Sequence, residues 1–388
     1  MTAAQRHAAA ADTVFDGAAV HRDCAVVIEG GDIVALLPRR QLPPGMPVRD
    51  LPDGAWLAPG FIDVQVNGGG DVLFNDTPTP EGLATIVAAH RRFGTTALLP
   101  TLISDTTEKM RAASAAVDTA MAREPGVLGI HLEGPFLSPE RAGVHDPTML
   151  RAPTGDDIEI VMAPRRGVTL ATLAPERVPA GFIARLAGAG VRIALGHLMA
   201  SYEQTRAAIA EGLTGFTHLF NAMPPLLSRE PGPIAAALET PGLFYGLIVD
   251  GEHVAPAMLR LALRGVGQPM LVTDAMPPVG GTGASFMLGG KEILVHDGRC
   301  ATADGTLSGA ALDMASAVRN SVRLLGLDLP DALRLATAAP AAFLGLGHRL
   351  GHLAPGHRAN MVALDPTEIR VLSTWVAGEE FTDPGQRG

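Results

Sequence analysis

Along the chain, short continuous apolar runs alternate with longer stretches whose apolar positions recur every three or four residues, and Gly or Pro punctuates most of the changes. Eight runs read as strands: Ile62–Val66, Thr96–Pro100, Val127–Leu132, Val168–Leu173, Val191–Leu195, Thr214–His218, Phe244–Val249 and Met270–Thr273. Their lack of polar alternation is the mark of parallel strands buried on both faces. The segments between them carry helical spacing. Leu83, Ile86, Val87 and His90 share one face of a helix that stops at Gly94, and Ser201 followed by Gln204 forms a capping box for a helix ending near Gly212. Eight strands with helical crossovers predict an α/β fold, a TIM-like (β/α)8 barrel with its chemistry at the C-terminal ends of the strands.

The two chain ends depart from this rhythm. Ala25–Leu37 gives two β runs about Gly30-Gly31, and Asn360–Leu364 with Ile369–Ala377 gives two more. The expected organisation is a barrel over residues 58–353, flanked by residues 1–57 and 354–388, which together form one small β-sandwich module. A Gly-rich insertion, Gly280–Thr306, separates the eighth strand from its helix and reads as a hairpin over the barrel mouth.

Composition narrows the function. Hydrophobic residues make up 47% of the 388 positions and charged residues 18%, below the usual charged share of about 25%, so a large interior is buried and disorder is excluded. The 30 basic and 40 acidic residues leave a net charge of −10 with no basic cluster, which argues against nucleic acid as a partner. Cys24 and Cys300 are too few for a disulfide framework or a thiolate zinc site. Neither a signal-like start over Met1 to Gly17 nor a membrane-length apolar run is visible, and the expectation is a soluble cytoplasmic protein that acts on a small molecule.

Reading the strand ends brings distant residues to one mouth. Glu133 follows strand three, His197 follows strand five and His218 ends strand six. One carboxylate and two imidazoles suit Zn²⁺ with a position left for water, although Fe²⁺ or another divalent ion also fits such a set. Any one of them alone would more often be a cap or a surface residue. Asp274, after strand eight, is placed to take a proton from water and pass it to a leaving group; alone it reads equally as an N-cap. Strand one carries Gln65 and Asn67 on one face, where a two-metal hydrolase would need histidines, and strand four holds no lysine for a bridging carbamate. Lys109 and Lys291, the only lysines, fall in a helix and in the insertion. One metal per subunit is therefore expected.

His145, Asn221, Arg229 and His253 lie in loops after strands three, six and seven, and Arg229 offers an anion the fixed fork of a guanidinium. Singly, each is more often a solvated loop residue. His131 shares a strand face with Glu133 and is expected to support it rather than to ligate. His7, His21, His90, His296, His348, His352 and His357 are expected at the surface.

In order along the chain stand PGFIDVQVNG (Pro59–Gly68), HLEGPF (His131–Phe136), GVH (Gly143–His145) and GH (Gly196-His197). THLFNAM (Thr217–Met223), REPG (Arg229–Gly232), DGEH (Asp250–His253), LVTDA (Leu271–Ala275) and TLSG (Thr306–Gly309) follow. This ordered set resembles the N-acetylglucosamine-6-phosphate deacetylases of the amidohydrolase superfamily. The resemblance implies Glu133, His197 and His218 as metal ligands and Asp274 as general acid and base. It implies sugar-phosphate contacts from His145, Asn221, Ala222, Arg229, His253 and Leu307, and a homodimer with His253 on a loop at the subunit boundary. The implied reaction is hydrolysis of the acetamide to glucosamine 6-phosphate and acetate, within amino-sugar metabolism. The Gln-x-Asn of strand one departs from the His-x-His of some members and counts against a second metal. Two rivals remain. A cyclic-amide hydrolase of the hydantoinase or dihydroorotase type should show His-x-His and a bridging lysine, and a catalytically dead barrel used as a scaffold should have lost a ligand or the acid. The sequence leaves open the gluco or galacto epimer.

Overall fold

The computed structural model describes residues 6–163, 166–296 and 298–382. Eight strands follow one another in sequence order around one sheet: β1 (Phe61–Val66), β2 (Thr95–Ile103), β3 (Gly129–Glu133), β4 (Val168–Leu173), β5 (Arg192–Leu195), β6 (Gly215–Phe216), β7 (Phe244–Leu247) and β8 (Gln268–Leu271). A parallel bridge between Val66 and Ala275, reinforced by the Asn67 N–H donating to the Ala275 carbonyl at 2.8 Å, closes the circle. The predicted barrel is therefore present. β4 matches its expected limits, and the others shift by a few residues.

One of these shifts is informative. β6 ends at Phe216, two residues short of the expected His218, because His218 has φ +32° and leaves the extended region. The residue that looked like the end of a strand is already a turn.

Local chemistry explains the helices. Ser201 Oγ accepts from the Gln204 N–H at 3.2 Å and Gln204 Oε1 accepts from the Ser201 N–H at 2.8 Å, so the capping box opens the helix Tyr202–Ala210 as expected. Leu83, Ile86 and Val87 are buried along the helix Pro80–Arg91, and so is His90, fully. The surface expectation for His90 is corrected: it occupies the next position of the same apolar stripe, and helical periodicity carries it inward with its neighbours.

The chain divides into two compact units, one containing the described residues up to Asp63, His90–Ala97 and those from Asp313 onward, the other Val64–Ala89 and Leu98–Leu312. In the first, N- and C-terminal strands join in one sheet: His7–Phe15 pairs with Val20–Glu29, and Trp56–Pro59 pairs antiparallel with Met361–Asp365. Successive residues of His7–Phe15 feed opposite faces. Ala9 and Ala11 pack with Val26, Ile28, Met361 and Trp375, while Ala8 and Ala10 pack with Ala25 and Val27. Residues 1–5 and 383–388 of the two terminal pieces lie outside the described residues.

In the second unit the insertion is more than a hairpin. Four antiparallel strands, Ser285–Leu288, Lys291–His296, Arg299–Ala301 and Leu307–Ala310, form a sheet of their own; position 297 lies outside the described residues. Its inner face, with Leu288, Ile293 and Cys300, packs on Ile103 at the end of β2 and on Leu73 and Met276, which follow β1 and β8. Gly309 explains the TLSG run: at φ +61°, a Cβ there would stand 2.6 Å from Met276 and 2.9 Å from the Asp274 carbonyl oxygen, so only glycine lets this strand approach.

Candidate active site

Glu133 is the last residue of β3, His197 and His218 lie two residues beyond β5 and β6, and Asp274 lies three beyond β8. His197, His218 and Asp274 have φ of +50°, +32° and +51°. Non-glycine residues rarely adopt this left-handed backbone, which costs about 1–3 kcal/mol each and persists only where the surroundings impose it. Here the strained turns aim three polar side chains inward. Glu133, His197 and His218 are all buried.

The three donor groups converge. His218 Nε2 stands 3.1 Å from Glu133 Oε1 and 3.1 Å from His197 Nε2, and His197 Nε2 stands 3.3 Å from Glu133 Oε1. Ligand atoms about 2 Å from a tetrahedral ion stand roughly 3.3 Å apart, so the spacing already matches a divalent site. Hydrogen positions agree with it. The Arg141 carbonyl accepts from His197 Nδ1 at 2.7 Å, which leaves Nε2 as a bare lone pair facing another imidazole nitrogen and a carboxylate. Such a cluster calls for a cation. Burial raises the Glu133 carboxyl, but its hydrogen bonds with His197 and His218 outweigh this and hold it well below the usual range. Burial likewise opposes a charge on His218, yet Glu133 reverses the balance and moves its pKa up. Among the described residues this is the one group of three or more His, Cys, Asp or Glu side chains with metal-binding spacing.

The two amides of strand one have a definite part. Gln65 Nε2 donates to Glu133 Oε2 at 3.2 Å and to Asp274 Oδ1 at 3.1 Å, and Asn67 Nδ2 donates to Asp274 Oδ1 at 2.6 Å. The neutral NH₂ of Gln65 thus bridges the two carboxylates, and that of Asn67 adds a second donor to Asp274. Asp274 is pushed up to about 6, first by burial and then by the negative charge of Glu133. A carboxyl poised there exchanges protons readily near neutrality.

Around the cluster lies a cavity of about 380 Å³ lined by Asn67, Glu133, His145, His197, His218 and Asp274, and also by Asn221, Ala222, His253 and Leu307. Every predicted site residue is gathered here except Arg229. That guanidinium lines a separate cavity of about 300 Å³ with Met199, Ser201, Tyr202, Glu203 and Pro224. His253, expected at a subunit boundary, lines the cavity of its own chain. His131 meets Thr172 Oγ1 at 2.7 Å and Thr101 Oγ1 at 3.1 Å, so it is tied into a layer of strand threonines. Burial lowers it to about 4, and it stays neutral.

Several contributors had no distinct signal in the sequence. Ser104 N–H donates to His145 Nδ1 at 3.3 Å, so Nε2 carries the hydrogen of that ring, and burial, then the neighbouring imidazole of His197, lowers His145 to about 3. Asp250 accepts from the His253 N–H at 2.9 Å and from His253 Nδ1 at 2.5 Å, holding backbone and ring together. Its spacing within DGEH is the signal that could have revealed it, since an aspartate three residues before a ligand residue favours such a turn. The Arg141 carbonyl offered none, because any residue has one.

Comparison with known proteins gives a consistent result. The Amidohydrolase family matches residues 56–381. An N-acetylgalactosamine-6-phosphate deacetylase of Shewanella sp. (strain ANA-3) is 44% identical over 83% of this chain and 82% of its own. An N-acetylglucosamine-6-phosphate deacetylase of Haemophilus influenzae is 34% identical over 93% of this chain and 95% of its own. The crystal structure of N-acetylglucosamine-6-phosphate deacetylase from Pasteurella multocida superimposes with a TM-score of 0.94 at 34% identity, covering 97% of this chain and all of that one.

Proposed function

The chain belongs to the amidohydrolase family, and from that premise we propose that it hydrolyses the acetamide of N-acetylglucosamine 6-phosphate to glucosamine 6-phosphate and acetate. The observation that carries this reading is the Glu133, His197 and His218 cluster with Asp274 beside it in one cavity.

A divalent ion held by Glu133, His197 and His218, most suitably Zn²⁺ with Fe²⁺ as a workable substitute, supplies Lewis acidity that polarises the acyl oxygen and acidifies water. The residues of the chain do the rest. Asp274 accepts a proton from the attacking water. The tetrahedral intermediate must then be protonated on nitrogen, because an amide anion is a very poor leaving group, and Asp274 returns the proton there. Gln65 and Asn67 both grip Oδ1, which leaves Oδ2 as the oxygen that carries the proton. His145 presents an Nε2–H donor to substrate oxygens.

The same reading assigns the 6-phosphate to His253 and Arg229. Since Arg229 lines a different cavity of its own chain, the pair acts on one phosphate only if the protein is a homodimer in which Arg229 of the partner subunit reaches the site. Acetate release from N-acetylglucosamine 6-phosphate should greatly exceed release from the unphosphorylated sugar. Equal rates would contradict the assignment. The galacto epimer run in parallel ranks the two sugars. Arg229→Ala should cost about 2–5 kcal/mol in kcat/KM on the phosphorylated substrate.

The dimer has its own test. A hybrid of Arg229→Ala and His253→Ala subunits should regain about half of the wild-type activity, because one of its two sites recovers both groups. Verified hybrids with no recovery would mean that each site is built within one chain.

A further inference from the structure

Asn67 carries an unspent hydrogen-bonding group at the centre of the site. Its side chain is buried, lines the cavity and donates from Nδ2 to Asp274 Oδ1 at 2.6 Å. A carboxylate oxygen accepts, so this contact fixes the amide with NH₂ toward Asp274 and the carbonyl turned away. That carbonyl oxygen, Oδ1, is buried and has no hydrogen-bond partner among the described residues. Buried polar atoms are nearly always paired, and an orphan acceptor on a residue that lines a catalytic cavity is one whose donor can arrive with the substrate.

We propose that Asn67 is a further catalytic residue, whose Oδ1 accepts the N–H of the substrate acetamide. The inference rests on the deacetylase reading and specifies how that site holds the scissile nitrogen. An acetamide offers one donor beside its reacting carbon, the N–H, and a neutral amide oxygen is a suitable acceptor for it.

The consequence is stereochemical. The water oxygen bonds to the acyl carbon while its proton passes to Asp274. The C–N bond then breaks with its electron pair remaining on nitrogen, which takes the proton from Asp274 Oδ2, and acetate and the free amine separate. While nitrogen is conjugated in the planar amide it has no basic lone pair; one appears only as the carbon becomes tetrahedral. By holding the existing N–H at Oδ1 and Asp274 at Nδ2, one side chain keeps the proton and its recipient within reach of each other. Such preorganisation acts in the transition state and should appear in kcat.

An ester has no N–H, and this separates the proposal from a structural role. Wild type, Asn67→Ala and Asn67→Ser are each assayed on N-acetylglucosamine 6-phosphate and on 2-O-acetylglucose 6-phosphate, with metal content measured per chain. Both variants should retain their metal; loss of the Nδ2 contact to Asp274 weighs on both substrates alike, so the mark of the Oδ1 contact is a loss in kcat/KM about 100-fold greater on the amide than on the ester, the loss seen when one positioned hydrogen bond to a transition state is removed. An equal loss on both substrates, no loss on the amide, or loss of metal from both variants would overturn the proposal. Wild type inactive on the amide would instead overturn the deacetylase reading itself.

Discussion

Asp274→Asn should keep its full complement of metal and lose roughly 100- to 10,000-fold in turnover, the range over which a positioned acid or base contributes. The substitution preserves shape and leaves the Glu133, His197 and His218 cluster intact. It removes the group that takes the proton from water and returns it to nitrogen. Its pH behaviour follows from its surroundings. Burial, aided by Glu133, places Asp274 at about 6, and the base form is the one that accepts a proton, so kcat/KM should fall as the pH drops through that value. A cation beside Glu133 offsets that carboxylate's charge and moves the acid limb downward, so it should lie at or below about pH 6 in the loaded enzyme. Metal analysis of the variant checks the first statement, and pH-rate profiles of wild type and variant check the second, since the acid limb should be present in wild type and absent from Asp274→Asn. Should Asp274→Asn lose its metal, Asp274 is a ligand and the proton shuttle must be sought elsewhere.

Glu133→Gln and His197→Ala should each abolish tight metal binding and reduce acetate release to the level of chelator-treated wild type. Glu133 is the one negative charge that faces both imidazoles, at 3.1 and 3.3 Å, and a neutral amide at that position removes both the charge and the donor preference for a divalent ion. His197 contributes a lone pair already directed by the Arg141 carbonyl. Elemental analysis after dialysis reads the effect directly. Full retention of metal in both variants would relocate the site.

The cluster was legible because barrel chemistry gathers at strand ends, and Glu133, His197, His218 and Asp274 each follow an apolar run that is itself easy to read. What escaped the sequence is what depends on the third dimension. His90 follows the same helical spacing as Leu83, Ile86 and Val87, yet its polarity suggested the surface. β6 stopped early because the left-handed turn at His218 has no signature in a residue that is not glycine. Gln65 and Asn67 could be placed on one strand face, but their role as donors to Glu133 and Asp274 required knowing that strands one, three and eight bring them together. Arg229 had the right chemistry for an anion and lines another cavity, because residue type does not say which cavity a loop faces.

The central claim is a deacetylase that works with one metal ion per chain. Metal-free protein titrated with Zn²⁺ while acetate release from N-acetylglucosamine 6-phosphate is followed tests it most directly. Activity should rise linearly and reach its plateau at one equivalent per chain, since the Gln65 amide donates to both Glu133 and Asp274 and the Asn67 amide to Asp274. A plateau at two equivalents, or no acetate at any loading, would contradict it.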